Sequence, residues 1–214
     1  MKRALADDDA RVRAHAVRST DSRVRADPQA DTQAWAELLQ AQASDPDARV
    51  RFAVALATED SVTLAKIVSR DVGQPWMRAA VLGGLADGTA DVFAALAGNT
   101  EFIEREGALE FLRESARIAG ASAPVNRVVL DLRVAARSPH ALAFATALAN
   151  GLDRRGLSVS VVDGRTFESL RDEARKAGAD SSLTDARRIE AAEFLAFAND
   201  SGSRASLAEL LSAS

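Results

Sequence analysis

A motif of thirteen residues occurs twice near the start of the chain, and it constrains the fold more than any other feature of the sequence. Residues 7–19 read DDDARVRAHAVRS, and residues 45–57, 38 positions later, read DPDARVRFAVALA. In both copies, apolar side chains recur three and four positions apart, beginning at Val12 and at Val50. This spacing places them on one face of a helix. The motif therefore predicts two helices with equivalent packing surfaces.

Two further copies extend the pattern along the chain. Residues 71–86 read DVGQPWMRAAVLGGLA and align Arg78 with Arg51, and a weaker copy at 183–198 places Arg188 at the same position. When an apolar helix face recurs in this way, each copy is shielded by its neighbours rather than within its own unit. The four copies therefore predict helical units that stack on one another.

The residues before each helix predict how the helix begins. Asp45 is a good N-cap, and Pro46 at the first helical position lacks an N–H group that would need a partner. Oppositely charged residues four positions apart on a helix form ion pairs, and the acid is favoured in the first turn. The expected pairs are Asp9 with Arg13 and Asp47 with Arg51.

Helical patterns also fill the segments between the copies, so the sequence predicts an all-α protein. Alanine occurs 46 times and aromatic residues make up only 5% of the chain. This composition favours helices over sheets. The helices expected between the copies cover 31–43, 61–70, 89–98, 101–120, 124–137, 138–156, 166–178 and 203–214.

We expect these helices to form an αα-superhelix of about five helical pairs, in a single domain over residues 1–214. A bend is expected near Gly107, and close helix–helix contacts are expected at Gly83 and Gly84. The stretch LSVSVV at 157–162 has no obvious pairing partner, so it is expected to be an extended connector rather than a strand of a sheet.

Composition excludes several classes of function. The chain contains no cysteine, so it forms no disulfide and offers no thiolate nucleophile or metal ligand. A net charge of −4 and a pI near 5.3 argue against a general nucleic-acid binder, which needs clustered positive charge. No window approaches about 18 apolar residues, and the first residues lack the apolar core of a signal peptide. We therefore expect no membrane insertion and, by default, a cytoplasmic location.

The strings DPDARVRFAVALA and PWMRAAVLGGLA resemble the HEAT-repeat pattern, in which a polar turn precedes a helix of small residues that carries an arginine. A narrower resemblance covers nearly the whole chain. Five strings, in order, are similar to the HEAT-like region of large planctomycete-type membrane-bound dehydrogenases: ALADDDARVRAHAVR, DARVRFAVALA, PWMRAAVLGGL, ALANGLDRRG and RRIEAAEFLA. The resemblance implies a helical solenoid that lies between a β-propeller and a C-terminal cytochrome c module.

The sequence departs from such a parent protein in ways that matter for function. It is too short to include a propeller, and it lacks the cysteines of a haem attachment site. The resemblance therefore implies a non-catalytic protein-interaction scaffold without a cofactor, which spaces or docks redox modules and is either independent or a fragment of a longer array. As a fragment of an exported parent, it would lie in the periplasm.

Six residues are candidates for binding a partner: Arg13, Arg51, Arg78, Arg188, Trp35 and Trp76. The arginines either pair with nearby acids and carbonyl groups or line a groove that recognises anions. The tryptophans either pack between repeats or anchor a bound peptide. His15 and His140 have no further ligand nearby, so we expect packing, surface or capping roles and no metal site. No catalytic residue is predicted.

Three interpretations of function stay open at this point. The first is the protein-interaction scaffold. The second is a HEAT-like nucleic-acid-binding protein or DNA glycosylase that uses the arginines on its concave face. The third is an array that associates with itself through its uncapped ends, burying apolar surface there.

Overall fold

The computed structural model describes residues 2–27, 29–85, 88–158, 162–198 and 201–212. Fourteen helices and no strand occur within these ranges, which confirms the all-α prediction. The helices are α1 (Lys2–Leu5), α2 (Ala10–Ala26), α3 (Thr32–Gln42), α4 (Ala48–Ala57), α5 (Ser61–Asp71), α6 (Pro75–Gly84), α7 (Thr89–Leu96), α8 (Thr100–Ile103), α9 (Ala108–Ser122), α10 (Val125–Ala135), α11 (Ala141–Asp153), α12 (Gly164–Ala179), α13 (Asp185–Ala198) and α14 (Ser201–Ser212). The connector predicted at 157–162 falls mainly on residues 159–161, outside the described residues.

The chain divides into two compact units. Unit 1 comprises Met1–Val92 and Glu101–Phe111, and unit 2 comprises Phe93–Thr100 and Leu112–Ser214. Within unit 1, α2 packs against α4 and α4 packs against α6. Helix α3 contacts both α2 and α4, and α5 contacts both α4 and α6. The three helices that carry the clear copies of the motif are therefore consecutive neighbours, as their shared apolar faces predicted.

The core of unit 1 lies where these helices meet. Val50, Val54, Met77 and Val81 have no exposed surface. They occupy the third and seventh positions of α4 and of α6, so equivalent residues are buried in both copies. Burying a side chain of this size stabilises a fold by about 1.5–3 kcal/mol. The repeated apolar positions of the sequence are thus the packing positions of the structure.

Helix α4 begins two residues later than the sequence predicted. Its N-cap is Asp47, whose carboxylate accepts the N–H of Arg49 at 2.8 Å. Asp45 instead accepts the N–H of Asp47 at 2.8 Å and closes a turn before the helix. The prediction that Asp45 caps the helix is therefore wrong, because its side chain is held in this turn. In the first copy, Asp9 caps α2 in the same way as Asp47 caps α4.

Two glycines of α6 were expected to allow close helix contacts, and only one does. A Cβ atom added to Gly84 would lie 2.8 Å from the carbonyl oxygen of Ala55. Gly83 has no neighbouring atom within 4 Å, so the expectation was wrong for Gly83. The bend expected near Gly107 is confirmed. This residue has a φ of +78° and separates α8 from α9, a conformation that glycine adopts without a steric penalty.

Unit 2 is built around α11, whose residues are buried on every side from Ala141 to Ala149. Helices α10, α12 and α13 contact α11, and α14 packs on α12 and α13. Gly120 of α9 and Gly151 of α11 form a close crossing of two backbones. A Cβ on Gly120 would overlap the carbonyl oxygen of Leu148, and a Cβ on Gly151 would overlap that of Arg117. Small side chains therefore determine how closely this helix packs.

Candidate interaction surface

The arginine at the fourth position of α2, α4 and α6 makes the same backbone contact in each helix. Arg13 donates to the carbonyl oxygen of Asp7 at 2.7 Å, and Arg51 donates to that of Asp45 at 2.6 Å. Arg78 donates to the carbonyl oxygen of Val72 at 3.0 Å. The acceptor always lies six residues before the arginine. Each guanidinium thus stabilises the turn that precedes its own helix.

The same three arginines also reach carboxylates that lie much later in the sequence. The shortest nitrogen–oxygen distances are 2.7 Å for Arg13 with Asp45, 2.6 Å for Arg51 with Asp71 and 2.8 Å for Arg78 with Glu110. The first two pairs have two parallel hydrogen bonds each, the geometry that makes arginine–carboxylate pairs strong and directional. Each arginine therefore ties its own helix to a following segment of unit 1.

The pairing predicted from sequence was wrong for these arginines. Asp9 and Asp47 are bound by Arg11 and Arg49, at 2.6 and 2.7 Å, rather than by the arginines four positions along the helix. The physical reason is that Arg11 and Arg49 are exposed and fold back on the cap. Arg13 and Arg51 point inward, where acids of other segments are within reach.

Burial and pairing shift the pKa values of these groups. Burial alone would raise the pKa of the Asp45 carboxyl, but the hydrogen bonds from Arg13 and from the Asp47 backbone bring it below the usual range. The hydrogen bond to Asp71 raises the pKa of Arg51 further. Hydrogen bonds from Arg11 lower the pKa of Asp9 to about 2. All of these groups are therefore charged at neutral pH.

Arg188 differs from the other three candidate arginines. It occupies the fourth position of α13, but its contact is with Asp185 of the same helix at a distance of 3.9 Å. One third of its side chain is exposed. Among the described residues, its Nε has no hydrogen-bond partner. A role of the four arginines in binding an outside anion stays a prediction, and for the first three the anion would compete with an existing carboxylate.

The two candidate tryptophans lie in contrasting environments. Trp35 is 6% exposed, and its Nε1 has no hydrogen-bond partner in the described part of the chain. Trp76 is 42% exposed and meets the ring of Phe52 edge to face, with 5.0 Å between ring centroids. Trp35 therefore contributes to packing, whereas Trp76 presents an aromatic surface to solvent.

Trp76 belongs to a groove on the exposed side of α2, α4 and α6. We call this groove, of about 350 Å³, the aromatic groove, and it is lined by Arg11, Ala14, Arg18, Arg49, Phe52 and Trp76. Arg11, Arg49 and Trp76 all occupy the second position of their helices, and Ala14 and Phe52 occupy the fifth. Equivalent positions of three neighbouring helices therefore form one surface.

Five residues of the aromatic groove were not among the candidates from the sequence: Arg11, Ala14, Arg18, Arg49 and Phe52. The aligned copies contained the signal for four of them, because each helix places its second and fifth residues on the face that does not carry the fourth. Arg18 lies one helical turn after Ala14 on the same face of α2. Among the described residues, Arg11 and Arg49 pair with their own caps, while the guanidinium of Arg18 has no carboxylate partner. As far as the described residues show, the groove thus combines an aromatic platform with one unpaired cation, Arg18.

The two histidines make local contacts. His15 Nε2 lies 3.1 Å from the hydroxyl of Ser19. His140 occupies the N-cap position of α11, but its Nδ1 lies 3.1 Å from the carboxylate of Glu190 and its side chain does not cap the helix. In the part of the chain that the structure describes, no cluster of three or more side chains could hold a metal ion. No described helix combines the length and apolar character needed to span a membrane.

Comparison of the chain with protein-family models, with curated proteins and with solved structures found no match. The resemblance to HEAT repeats and to the helical region of the dehydrogenases therefore stays a prediction.

Proposed function

We propose that this protein is a non-catalytic interaction scaffold built from HEAT-like repeats, and that it binds a partner protein in the aromatic groove. The repeated contacts of the arginines at position four support the repeat architecture. Each one joins the turn before its helix to an acid of a later segment. Within unit 1 this contact recurs from one motif helix to the next, as it does between the repeats of an αα-superhelix.

Exposure of Trp76 is the observation that carries the binding proposal. A large aromatic side chain that is 42% exposed, next to Phe52, leaves apolar surface in contact with water. Tryptophan and arginine are enriched among the residues that dominate binding energy at protein interfaces. Arg11, Arg18 and Arg49 surround the platform with groups that can donate hydrogen bonds to a partner.

A nucleic-acid ligand is the main competing interpretation of this surface. Bases stack on aromatic side chains, and arginines bind phosphates. However, Arg11 and Arg49 are already neutralised by Asp9 and Asp47 within 2.7 Å, so the groove has little net positive charge. We therefore favour a protein partner, and the dehydrogenase resemblance makes redox modules the first partners to test.

Site-specific cross-linking in cells tests this proposal. A photoreactive phenylalanine analogue at Ala79, an exposed position of α6, is expected to capture a discrete partner. The matched control is the same analogue at Val62, which is 67% exposed on α5 and lies outside the aromatic groove. The captured band should disappear when Trp76→Ala is added, because the anchor is lost.

Two results would contradict the proposal. One is cross-linking that is equal at both positions or insensitive to Trp76→Ala. The other is tight, salt-dependent binding of labelled oligothymidine that is abolished by Trp76→Ala, since counterion release is the hallmark of phosphate recognition. A Trp35→Phe background isolates the fluorescence of Trp76 for that titration.

A further inference from the structure

One face of α2 is exposed, whereas the equivalent faces of α4 and α6 are buried. Val12 at its third position is 40% exposed, whereas Val50 and Met77 at the third positions of α4 and α6 are fully buried. Both α4 and α6 have a preceding motif helix packed on them, α2 and α4 respectively. Among the described residues, only the single turn of α1 precedes α2. The exposed face of α2 is therefore a packing surface for another helix of this type.

A groove of about 450 Å³ runs along this exposed face of α2. Its lining follows helical spacing along the helix and includes Val12, His15, Ala16, Ser19, Thr20 and Arg23. The equivalents of Val12 and His15 in α4 are Val50 and Ala53, which are 0% and 1% exposed. The positions that are buried on α4, in the middle of unit 1, are thus exposed on α2 and form a groove in which another helix can pack.

Asp7 offers an acceptor that matches this surface. It lies two residues before the N-cap of α2, as Asp45 does before that of α4, and it accepts the N–H of Asp9 at 2.9 Å as Asp45 accepts that of Asp47 at 2.8 Å. Asp45 also receives two hydrogen bonds from Arg13. Among the described residues, no guanidinium reaches the exposed carboxylate of Asp7. The position that takes an arginine from the preceding repeat is therefore open here.

Arg188 offers the complementary donor. It is the fourth residue of α13, the position at which Arg13, Arg51 and Arg78 each reach a carboxylate of a following segment. Arg188 reaches only Asp185 at 3.9 Å, and its Nε has no partner among the described residues. Nearby, Ile189 is 57% exposed. Arg188 thus has the position of a repeat-joining arginine without its acceptor.

We infer that copies of this chain associate head to tail, with Arg188 of one copy binding Asp7 of the next while helices of the first copy cover the exposed face of α2. The pair would reproduce between molecules the contact that Arg13 and Asp45 make within unit 1. Because the two surfaces are different, such an interface leaves one free end of each kind and builds open chains of increasing length. This association does not depend on the aromatic groove.

Sedimentation velocity over a dilution series tests the inference. The unmodified protein is expected to gain mass with concentration beyond a dimer. Asp7→Arg and Arg188→Asp should each weaken association at least about tenfold, since each places like charges opposite one another. Matched controls are Glu59→Arg and Arg165→Asp, which make the same charge changes at exposed residues away from the proposed contact. The controls should associate like the unmodified protein.

Mixing the two disruptive variants gives the decisive result. In the mixture, Arg188 of the Asp7→Arg chain meets Asp7 of the Arg188→Asp chain, and the reversed charges of the two variants also meet as opposites at the other contact. The two variants should therefore associate with each other in alternation, although neither associates with itself. Circular dichroism melts establish that each variant is folded, and the milder Asp7→Asn and Arg188→Gln replace any variant that is not. A protein that is monomeric at all concentrations, variants that associate normally, or a mixture that associates no more than either variant alone would each overturn the inference.

Discussion

Helices α4 and α11 are both buried, but different interactions hold them in place. Helix α4 carries a buried arginine, Arg51, whose guanidinium bridges the turn before the helix and Asp71 at the end of α5. Helix α11 is packed almost entirely by alanine, leucine and phenylalanine, and its backbone meets that of α9 at Gly120 and Gly151. Directional polar contacts therefore position α4, whereas the close packing of α11 on α9 depends on two glycines that have no side chain.

This contrast predicts different weaknesses in the two regions. Removing the charge of Arg51 should destabilise α4 and leave α11 unchanged. Adding a methyl group at Gly151 should destabilise α11 and leave α4 unchanged. Hydrogen exchange measured helix by helix distinguishes the two outcomes, because local opening is reported separately for each segment.

The largest effect is expected from Arg51→Ala. The carboxylate of Asp71 is 9% exposed, and removing its partner leaves a buried charge without compensation, which costs about 4 kcal/mol. Exchange should accelerate in α4 and α5 and stay unchanged in α11. The double variant Arg51→Met with Asp71→Leu should recover most of the loss, because both charges are then absent. A single variant as stable as the unmodified protein would show that the pair does not hold α4.

A somewhat smaller loss is expected from Gly151→Ala. The added Cβ would overlap backbone atoms of Arg117 and Ala121, and backbone cannot move aside as a flexible side chain can. Overpacking of this kind costs about 3 kcal/mol, and exchange should accelerate in α9 and α11. Gly83→Ala is the matched control. It lies in open space in α6, so it should raise stability by up to about 1 kcal/mol through helix propensity. Equal effects of the two substitutions would refute the close crossing.

Acidification should weaken unit 1 through its aspartates. The hydrogen bond from the Arg49 side chain lowers the pKa of Asp47 from 3.8 to about 2, and Asp45 is shifted in the same direction. A carboxyl whose pKa falls on folding stabilises the native state above its unfolded pKa and loses that contribution as the pH drops through its folded pKa. The melting temperature should therefore decrease between about pH 4 and pH 2, and less so in Asp45→Asn. A pH-independent melting temperature would contradict the ion pairs.

The smallest effect on stability is expected from Trp76→Ala. The ring is 42% exposed, so its removal costs the burial of part of the ring and the edge-to-face contact with Phe52, about 2 kcal/mol together. Denaturant midpoints should fall less than in Gly151→Ala, while partner cross-linking from position 79 is lost. A large loss of stability would instead assign Trp76 to the core.

The aligned copies of the motif determined much of the architecture. Because propensity and periodicity are local properties, they were enough to predict the helices, the equivalence of Arg13, Arg51 and Arg78, and the bend at Gly107. They also placed the two tryptophans among the candidate residues, without indicating that only Trp76 is exposed.

Only the tertiary structure decided which groups meet. Arg13 reaches an acid 32 residues away and Arg51 reaches one 20 residues away, while acids closer in sequence bind other arginines. A long arginine side chain can reach several acids, and the orientation of its helix determines which acid it pairs with. The contact of Gly120 with Gly151 could not be predicted from the sequence either. A glycine in a sequence indicates a turn or the end of a helix, and the close packing of two backbones produces no periodic pattern. Local chemistry thus specifies the helices, and the pairing of distant segments specifies how they are joined.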